Sequence, residues 1–487
     1  MTALAGLPLY LELATAMGLD ESIEKHLHIK ERGWTDKQMI FSLMLLNLAG
    51  GDCVEDLSRL AGDDGFCRVL RHIEEKKMSR RERREEEHRW RKRGERKVPS
   101  ASAVFRYLSA FHDPKQEKER QEGKAFIAAA NEHLQGLKAV NREMMAFIQS
   151  RRPEKVATLD MDATMVETSK REAYYGYKGF KCYQPLNVWW AEEQIVAYTE
   201  FRDGNVFAGY EQLRVMREAL KELPAGVEKV RLRSDSASYQ HELMHYCEMG
   251  EDERFGRIEF AIGCGVTPEF KKALGELEEK DWQPMYKEAG GLRMKTNQQW
   301  AEVCYVPNRI SRSLKGPRYR YLAIREWMGA ELAELKLSEV SLPFPTIQID
   351  SQRYKLTGVV TNLDGDGGEL IHWYRRRCGK SEEVHAVMKE DFAGGQLPSE
   401  HFGANAAWWW IMILALNLNS AMKQLALGSS WICKRMKAIR FSLLNIAGRI
   451  VEHSRELIIR LTRNHPSVDL LISARKRIIG LMSVPSG

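Results

Sequence analysis

Residues 156–164 read Val-Ala-Thr-Leu-Asp-Met-Asp-Ala-Thr, and the alternation within them sets the frame for the whole chain. Val156, Thr158, Asp160 and Asp162 fall on one side, Ala157, Leu159 and Met161 on the other. A period of two is the mark of an extended strand, so both aspartates project from one face of it. Downstream, Phe180 to Trp190 and Gln194 to Phe201 read as two further strands that fit a hairpin. Gly204-Asn205 then leads into a helix with Leu213, Met216 and Leu220 on one side. Val227 to Ser234 is a strand ending at Asp235, a helix follows from about Tyr239, and Arg257 to Ile262 gives a fifth strand. Three strands, helix, strand, helix, strand describes a mixed α/β core.

Around that core the chain changes character twice. From about Lys272 to Asp366, short β-type runs (Val303 to Val306, Tyr319 to Arg325, Thr346 to Ile349, Tyr354 to Thr361) are separated by Gly, Pro and charged turns. A helical segment carrying Tyr374, Arg377, Glu382 and Lys389 follows. Next comes Ala406 to Leu416, with three consecutive Trp, interrupted by Asn417, Asn419 and Lys423 after about eleven residues. That is far short of the ~20 a membrane span needs, so a buried core helix is expected and no membrane partner. On the N-terminal side, Leu7 to Met17 reads as a helix ending at Gly18, and Thr35 caps one that runs to Leu48 and stops at Gly50-Gly51. Val54 to Leu60 and Gly65 to Ile73 read as two more. Small helices joined by tight turns permit a helix-turn-helix reader, although packing alone gives the same pattern. Ser100 and Ser102 introduce a helix over AVFRYLSAF, and a long helical stretch is expected from there to about Gln149.

Charge is unevenly placed. Between Lys76 and Lys97 twelve Lys/Arg stand against five Glu, with almost no apolar residue, which reads as a solvated arm. From Ser429 to the end eleven Lys/Arg stand against three acids, a basic helical tail. The remainder of a chain whose formal charge is +7 therefore carries about −8. Basic segments flanking an acidic centre suit a cation-binding site held on a polyanion, since such segments supply the salt-dependent, sequence-blind part of DNA affinity. The division expected is residues 1–150 helical and DNA-binding, 151–271 and 367–428 the two parts of the core, 272–366 a β-rich insertion, and 429–487 the tail.

Three acids stand in distinctive local settings: Asp162 in LDMDAT, Asp235 in RLRSDSAS, and Glu382 downstream of YRRR. Three carboxylates drawn from distant parts of a chain suit two hard divalent ions, which prefer oxygen ligands and clamp the attacking and leaving oxygens of phosphoryl transfer. On these residues the chain resembles the DDE transposases of bacterial insertion sequences, in the group with a Tyr-Arg-Glu-Lys signature around the last acid. The resemblance spans roughly residues 156 to 425 and is strongest at RSDSAS and at YRRRCGKSEEVHAVMKEDF. It implies an RNase H-like core, interrupted by the β-rich insertion, with an all-α N-terminal domain and the basic tail. It also implies Asp162, Asp235 and Glu382 as catalytic metal ligands for Mg²⁺ or Mn²⁺, and Tyr374, Arg377 and Lys389 as contacts to DNA phosphates near the cut end. The activity implied is cut-and-paste transposition: cleavage at inverted-repeat ends, with or without hairpin intermediates, and strand transfer into double-stranded target DNA. A homodimer pairing two ends, in the bacterial cytoplasm and at the nucleoid when bound to DNA, goes with it.

Two choices within that set stay open in sequence. The family's first acid precedes a small residue and Thr, so Asp162-Ala163-Thr164 ranks Asp162 above Asp160. Seven residues make nearly two helical turns, so Glu382 shares a face with Lys389 and Glu383 does not. The family places six residues between Glu and Lys, as here, but three between Arg and Glu, whereas Cys378 to Ser381 make four. An unbroken helix would turn Arg377 away from Glu382; a break at Gly379, with Ser381 as a cap, would restore it. Asp235, flanked by Ser just past a strand, has a plain alternative as a helix cap.

Other features compete. Trp282 and Trp300 in the insertion are candidate platforms for an extruded base, or core residues. His241-Glu242-Leu243-Met244-His245 is a literal HExxH, the zinc-protease helix motif, with no third ligand at a recognised spacing. The eight cysteines include no CxxC pair, which argues against a zinc ribbon or a disulfide framework, and the N-terminus lacks the basic segment of a signal peptide. A transposase-derived protein that binds DNA ends without cutting them is the alternative from a different functional class.

Overall fold

β1 (Val156–Ala163) lies at the centre of a mixed sheet. The computed structural model describes residues 1–76, 78–92, 98–289, 291–305, 307, 319–329, 344–349, 352–377, 380–453 and 456–482. β2 (Val166–Glu167) and β3 (Cys182–Tyr183) form a small separate pair beyond β1. β4 (Leu186–Trp190) runs antiparallel to β1, and β5 (Ile195–Glu200) antiparallel to β4. On its other side β1 pairs in parallel with β6 (Lys229–Ser234), which pairs in parallel with β7 (Glu259–Cys264). The order β5-β4-β1-β6-β7 is that of an RNase H-like core. Parallel strands need both faces covered, and Leu159, Val230, Leu232, Phe260 and Ile262 are accordingly buried.

The insertion does not form a separate sheet. β12 (Gln352–Thr361) pairs antiparallel with β7 and continues the core sheet through β10 (Arg320–Trp327), β9 (Leu292–Val303) and β8 (Gln283–Ala289), while β11 (Thr346–Ile349) borders β12. Of the β-type runs read in the sequence, three coincide with β10, β11 and β12; the run at Val303 is only the end of β9, and Val306 lies outside the described residues. The β8–β9 hairpin escaped the pattern because the first half of β9 is solvated on both faces and has no apolar alternation.

Helix Phe402–Ala421 is the hub of the helical layer, with all twenty residues buried. It is locked to the sheet by polar groups: Asn417 Nδ2 donates to the Val196 carbonyl (2.9 Å) and accepts at Oδ1 from the Val196 N–H (2.8 Å). Trp409 Nε1 donates to Thr199 Oγ1 at 3.0 Å. Among the described residues no helix is long and apolar enough to cross a membrane. The N-terminal helices cover its other side. Helix Asp36–Ala49 starts with the Thr35/Gln38 capping box, ends at Gly50 (φ 92°), and buries eleven of its fourteen residues. A helix so enclosed is core, not the recognition helix of a helix-turn-helix, which needs an exposed face for the groove.

Three further readings change. The basic arm contains a helix, Arg80–Lys92, supported by a Ser79–Glu82 capping exchange and an Arg81–Glu85 pair at 3.0 Å; residues 77 and 93–97 lie outside the described set. Local i,i+4 pairs hold a polar helix without a core. The stretch to Gln149 is not one helix: Ala101–Leu108 and Glu132–Arg151 are separated by an excursion that holds the short helix Pro114–Glu117 and passes through Arg120. The basic tail is not helical throughout: β13 (Gly448–His453) and β14 (Glu456–Leu461) make a hairpin before helix Val468–Met482. Alternation across β14, with Leu457, Ile459 and Leu461 half-buried and the residues between exposed, explains the hairpin.

Arg120 pins that excursion to the core. Its guanidinium donates to both Asp203 oxygens (2.8 and 2.7 Å), pairs with Glu117, and packs against the rings of Tyr174 and Phe402. Removing one member of a buried pair leaves the other charge uncompensated. Arg120→Ala is therefore expected to destabilise the protein by about 3–5 kcal/mol in chemical denaturation, whereas Lys155→Ala, at an exposed pair with Glu228, changes stability by less than about 0.5 kcal/mol. Equal effects would show that Arg120 is not a structural anchor.

Candidate active site

The parallel register brings two of the three acids together. Met161 lies opposite Ser234, so the next residues, Asp162 and Asp235, leave the ends of neighbouring strands side by side. Ser234 Oγ donates to the Met161 carbonyl at 2.7 Å and fixes that end of the pairing. Asp235 Oδ1 accepts from the Ala237 N–H at 3.0 Å and caps the single turn Ser236–Ser238. The plain capping role is real, and it aims the carboxylate: Asp162 and Asp235 line one open cleft of about 910 Å³.

Asp160 has another task. It receives two hydrogen bonds from Arg233, at 2.6 and 2.8 Å, and each side chain is only 4 % exposed. Arg233 also donates to the Trp373 carbonyl (2.9 Å) and lies over the Trp373 ring. Asp160 is thus held in a structural pair, and Asp162 is the aspartate that reaches the cleft.

The third acid arrives on a broken helix. Helix Gly367–Arg375 is capped by Asp366, whose Oδ1 accepts from the Glu369 N–H at 3.0 Å. A second helix, Lys380–Ala386, continues into a π-type turn, Val387–Asp391. Cys378, Gly379 and the Ser381 side chain lie outside the described residues. The interruption lets Arg377 turn back to the sheet: its guanidinium is buried and meets Asp162 Oδ2 at 3.3 Å. Lys389, on the π-type turn, reaches the Met165 carbonyl at 3.4 Å and lines the same cleft. Such single-turn π insertions cluster at functional sites. Glu382 acts electrostatically on both Asp162 and His385, whereas Glu383 faces a second cavity with Asp160 and Arg233.

Burial, opposed by Arg377 and helped by Asp235 and Glu382, raises the Asp162 carboxyl to about 7. Among the described residues no three His, Cys, Asp or Glu side chains already stand as a ready-made metal group. The donor chemistry nevertheless suits a hard divalent cation: Asp162 and Asp235 are oxygen donors lining one cleft, with an Arg guanidinium on the first of them.

Sequence reasoning missed three residues. Arg233 decides between the two aspartates, and nothing local marks it. Gly263 could have been noticed as a glycine inside a strand, which signals close approach; a Cβ there would lie 2.9 Å from the Tyr374 hydroxyl, so glycine admits Tyr374 next to the Asp235 turn. His385 lies among Arg377, Glu382 and Lys389, and burial together with Lys389 and Arg377 lowers it to about 4 against the pull of Glu382.

Other candidates fall away. Trp282 and Trp300 are 6 % and 7 % exposed: Arg325 covers the first, and Gly367 packs on the second. They are core, not base platforms. His241 and His245 share a helix face, but His245 pairs with the exposed Glu251 at 3.0 Å and lies in no metal group.

An RNase H-like sheet with two aspartates at the ends of adjacent parallel strands, a glutamate on a following helix and cations around them defines a polynucleotidyl-transfer enzyme. The family described as Transposase DDE domain group 1 matches residues 1–483. The chain belongs to that family: it is a DDE-type DNA transposase, and divalent-metal use comes with the family. Among solved structures it is similar to a piggyBac transposase synaptic complex with hairpin DNA, at 10% identity and a TM-score of 0.38, the match covering 99% of this chain and 80% of that one. No curated protein matched it.

His385 gives this site a pH test. With its proton affinity lowered to about 4, the imidazole stays neutral from pH 5 to 8, where an ordinary histidine titrates near 6.5. Nitrogen NMR of the histidines, with His385→Gln to assign the signal, should show one ring that does not titrate in this window. A His385 midpoint near 6.5 would contradict the half-buried, cation-flanked setting.

Proposed function

We propose that Asp162, Asp235 and Glu382 are the metal-binding carboxylates with which this transposase cuts DNA at inverted-repeat ends and joins them to target DNA. The single observation that carries this is the place of Asp162: at the end of β1 beside Asp235 at the end of β6, lining the same cleft and met by Arg377. A divalent cation held there, Mg²⁺ or Mn²⁺, would supply the positive charge that stabilises the oxygens of phosphoryl transfer. The chain's own groups do the positioning. Arg377 and Lys389 offer their charges to phosphates entering the cleft, and Tyr374 presents its hydroxyl next to the Asp235 turn. Arg377 exchanges its bond to Asp162 for a phosphate when DNA and metal are present. Fixed charges in a partly desolvated cleft lower such a barrier through preorganisation.

The proposal includes the helical region 1–150 and the basic tail 429–487 as DNA-holding flanks of the core. It also includes a homodimer on paired ends, hairpin formation by attack of the freed 3′-OH on the opposite strand, and action at the bacterial nucleoid. Hairpins and dimerisation rest on the resemblance around Tyr374, Arg377, Glu382 and Lys389.

The test is Mg²⁺-dependent cleavage of DNA carrying the element's ends. Asp162→Asn, Asp235→Asn and Glu382→Gln should each lower cleavage by at least about 10²–10³-fold, with end binding and melting temperature retained, while Glu383→Gln stays within a few-fold of wild type. Removal of the divalent ion by EDTA should abolish cutting. Full cleavage by Asp235→Asn would dismiss the triad; end binding with no cleavage by the wild-type protein would favour the non-cutting, transposase-derived reading.

A further inference from the structure

Lys389 has little of its own to hold it in the cleft. Among the described residues its ammonium has one partner, the Met165 carbonyl at 3.4 Å, and a flexible four-carbon stem on so long a bond does not fix a charge. Its position is therefore set by the backbone beneath it. That backbone is the π-type turn Val387–Asp391, closed by the Phe392 N–H on the Val387 carbonyl at 3.1 Å. Such turns are rare and short, and this one is supported from outside.

Its exit is gripped from three sides. Ala393 follows in the left-handed region (φ 61°), which a residue with a side chain keeps only where its surroundings impose it; its carbonyl accepts from Trp408 Nε1 at 3.1 Å, on the central helix Phe402–Ala421. Asp391 is buried, and its Oδ2 accepts from Arg435 Nε at 3.1 Å. The Asp391 carbonyl accepts from Arg440 Nη2. The N–H groups of Gly394 and Gly395 donate back to the Met388 and Lys389 carbonyls, at 2.9 and 3.1 Å, so a shift at Asp391 is passed to Lys389 through the backbone. Arg440 does more than hold this turn. It comes from the basic tail, on a segment anchored by the buried Met436, Ile439, Leu443 and Leu444. The same guanidinium donates from Nε to the Leu48 carbonyl and from Nη2 to the Asn47 carbonyl, both at 2.9 Å. Those carbonyls end helix Asp36–Ala49, where unfilled acceptors and the negative end of the helix dipole favour a cation. A Cβ on Gly50 would lie 3.1 Å from Arg440 Cζ, so that glycine serves the guanidinium as well as the turn.

One planar fork thus ties together an N-terminal helix, the turn that bears Lys389 and the basic tail. We propose that Arg440 is a positioning residue for phosphodiester cleavage: by joining the Asp391 carbonyl to the end of helix Asp36–Ala49 it fixes the turn that presents Lys389 to the phosphate. This rests on the reading of Lys389 as a phosphate contact and extends the machinery to a residue that acts through the fold. A charge misplaced by about 1 Å costs as much as 10²-fold in rate. Lysine, a point charge without the fork, cannot make all three bonds in this plane.

Two readouts on the full chain separate the grip from its use. Hydrogen exchange over residues 387–395, followed by mass spectrometry in EDTA without DNA, reads the grip. Arg440→Lys, which keeps a charge under the helix and gives up the fork, should speed exchange there by at least about fivefold; Lys155→Ala, at an exposed pair, should not. Mg²⁺-dependent cleavage at saturating end DNA reads the use. Arg440→Lys and Lys389→Ala should each lower its rate about tenfold or more. Adding Arg440→Lys to Lys389→Ala should cost less than about twofold more, because both act at one point. An Arg440 that only stabilises the protein would multiply the two losses. Unchanged exchange over 387–395 overturns the proposal, and so do multiplied losses. Lys389→Ala cutting like the wild type overturns the phosphate role of Lys389 and the use of the grip with it. A wild type that does not cut sinks the transposase reading instead, and exchange still decides whether Arg440 holds the turn.

Discussion

Asp160 and Arg233 face each other across the parallel pairing of β1 and β6, and both are taken out of water. Two charges buried in this way are tolerated only when their hydrogen-bonding capacity is filled. Asp160 accepts two bonds from Arg233, and Arg233 gives a further one to the Trp373 carbonyl while its face meets the Trp373 ring. That third contact extends the pair from the sheet to helix Gly367–Arg375. Any slip of the helix along the sheet would leave a guanidinium proton without an acceptor in a low-dielectric place. The position of Tyr374 and Arg377 relative to β1 is thus set by an interaction that touches no substrate.

The site follows from one more step along the strand. Two residues beyond Asp160, on the same face, Asp162 emerges at the end of β1 where β6 also ends, and ligands of open α/β sheets gather at the carboxyl ends of parallel strands. There the half-buried carboxylate has Asp235 and Glu382 as like-charged neighbours and Arg377 as its counter-ion. Like charges brought together in this way demand positive charge from somewhere. The fold supplies some of it from Arg377, just past the helix that the Arg233 contact holds, and from Lys389, which reaches the Met165 carbonyl beyond β1.

What the sequence made legible is what local periodicity controls. Alternation over residues 156–162 placed β1 and put both aspartates on one face. Periodicity has no means of separating Asp160 from Asp162, because the deciding partner, Arg233, lies 73 residues away. The same limit explains the other misses. The small N-terminal helices permitted a helix-turn-helix reader, and what makes helix Asp36–Ala49 core is its packing on helix Phe402–Ala421, a contact no local pattern carries. The β8–β9 hairpin has too little buried surface to imprint a pattern.

The insertion shows how far the constraint at β1 reaches. Because β12 joins β7 in antiparallel register, Gly358 opposite Cys264 and Thr361 opposite Ala261, the strands from β8 to β12 are an extension of the catalytic sheet and not a domain hung from it. Trp300 on β9 then packs beneath Gly367 and Gly368, where a Cβ on Gly367 would come within 2.3 Å of the indole. The start of the helix that bears Tyr374 is therefore fixed by the insertion, and its end by Arg233. Held at both ends against one continuous sheet, that helix cannot move without the insertion strands moving as well. The insertion between the second aspartate and helix Gly367–Arg375 is thereby turned from a threat to site geometry into its support: the sheet extension holds the helix that bears Tyr374 against the strands that end at Asp162 and Asp235.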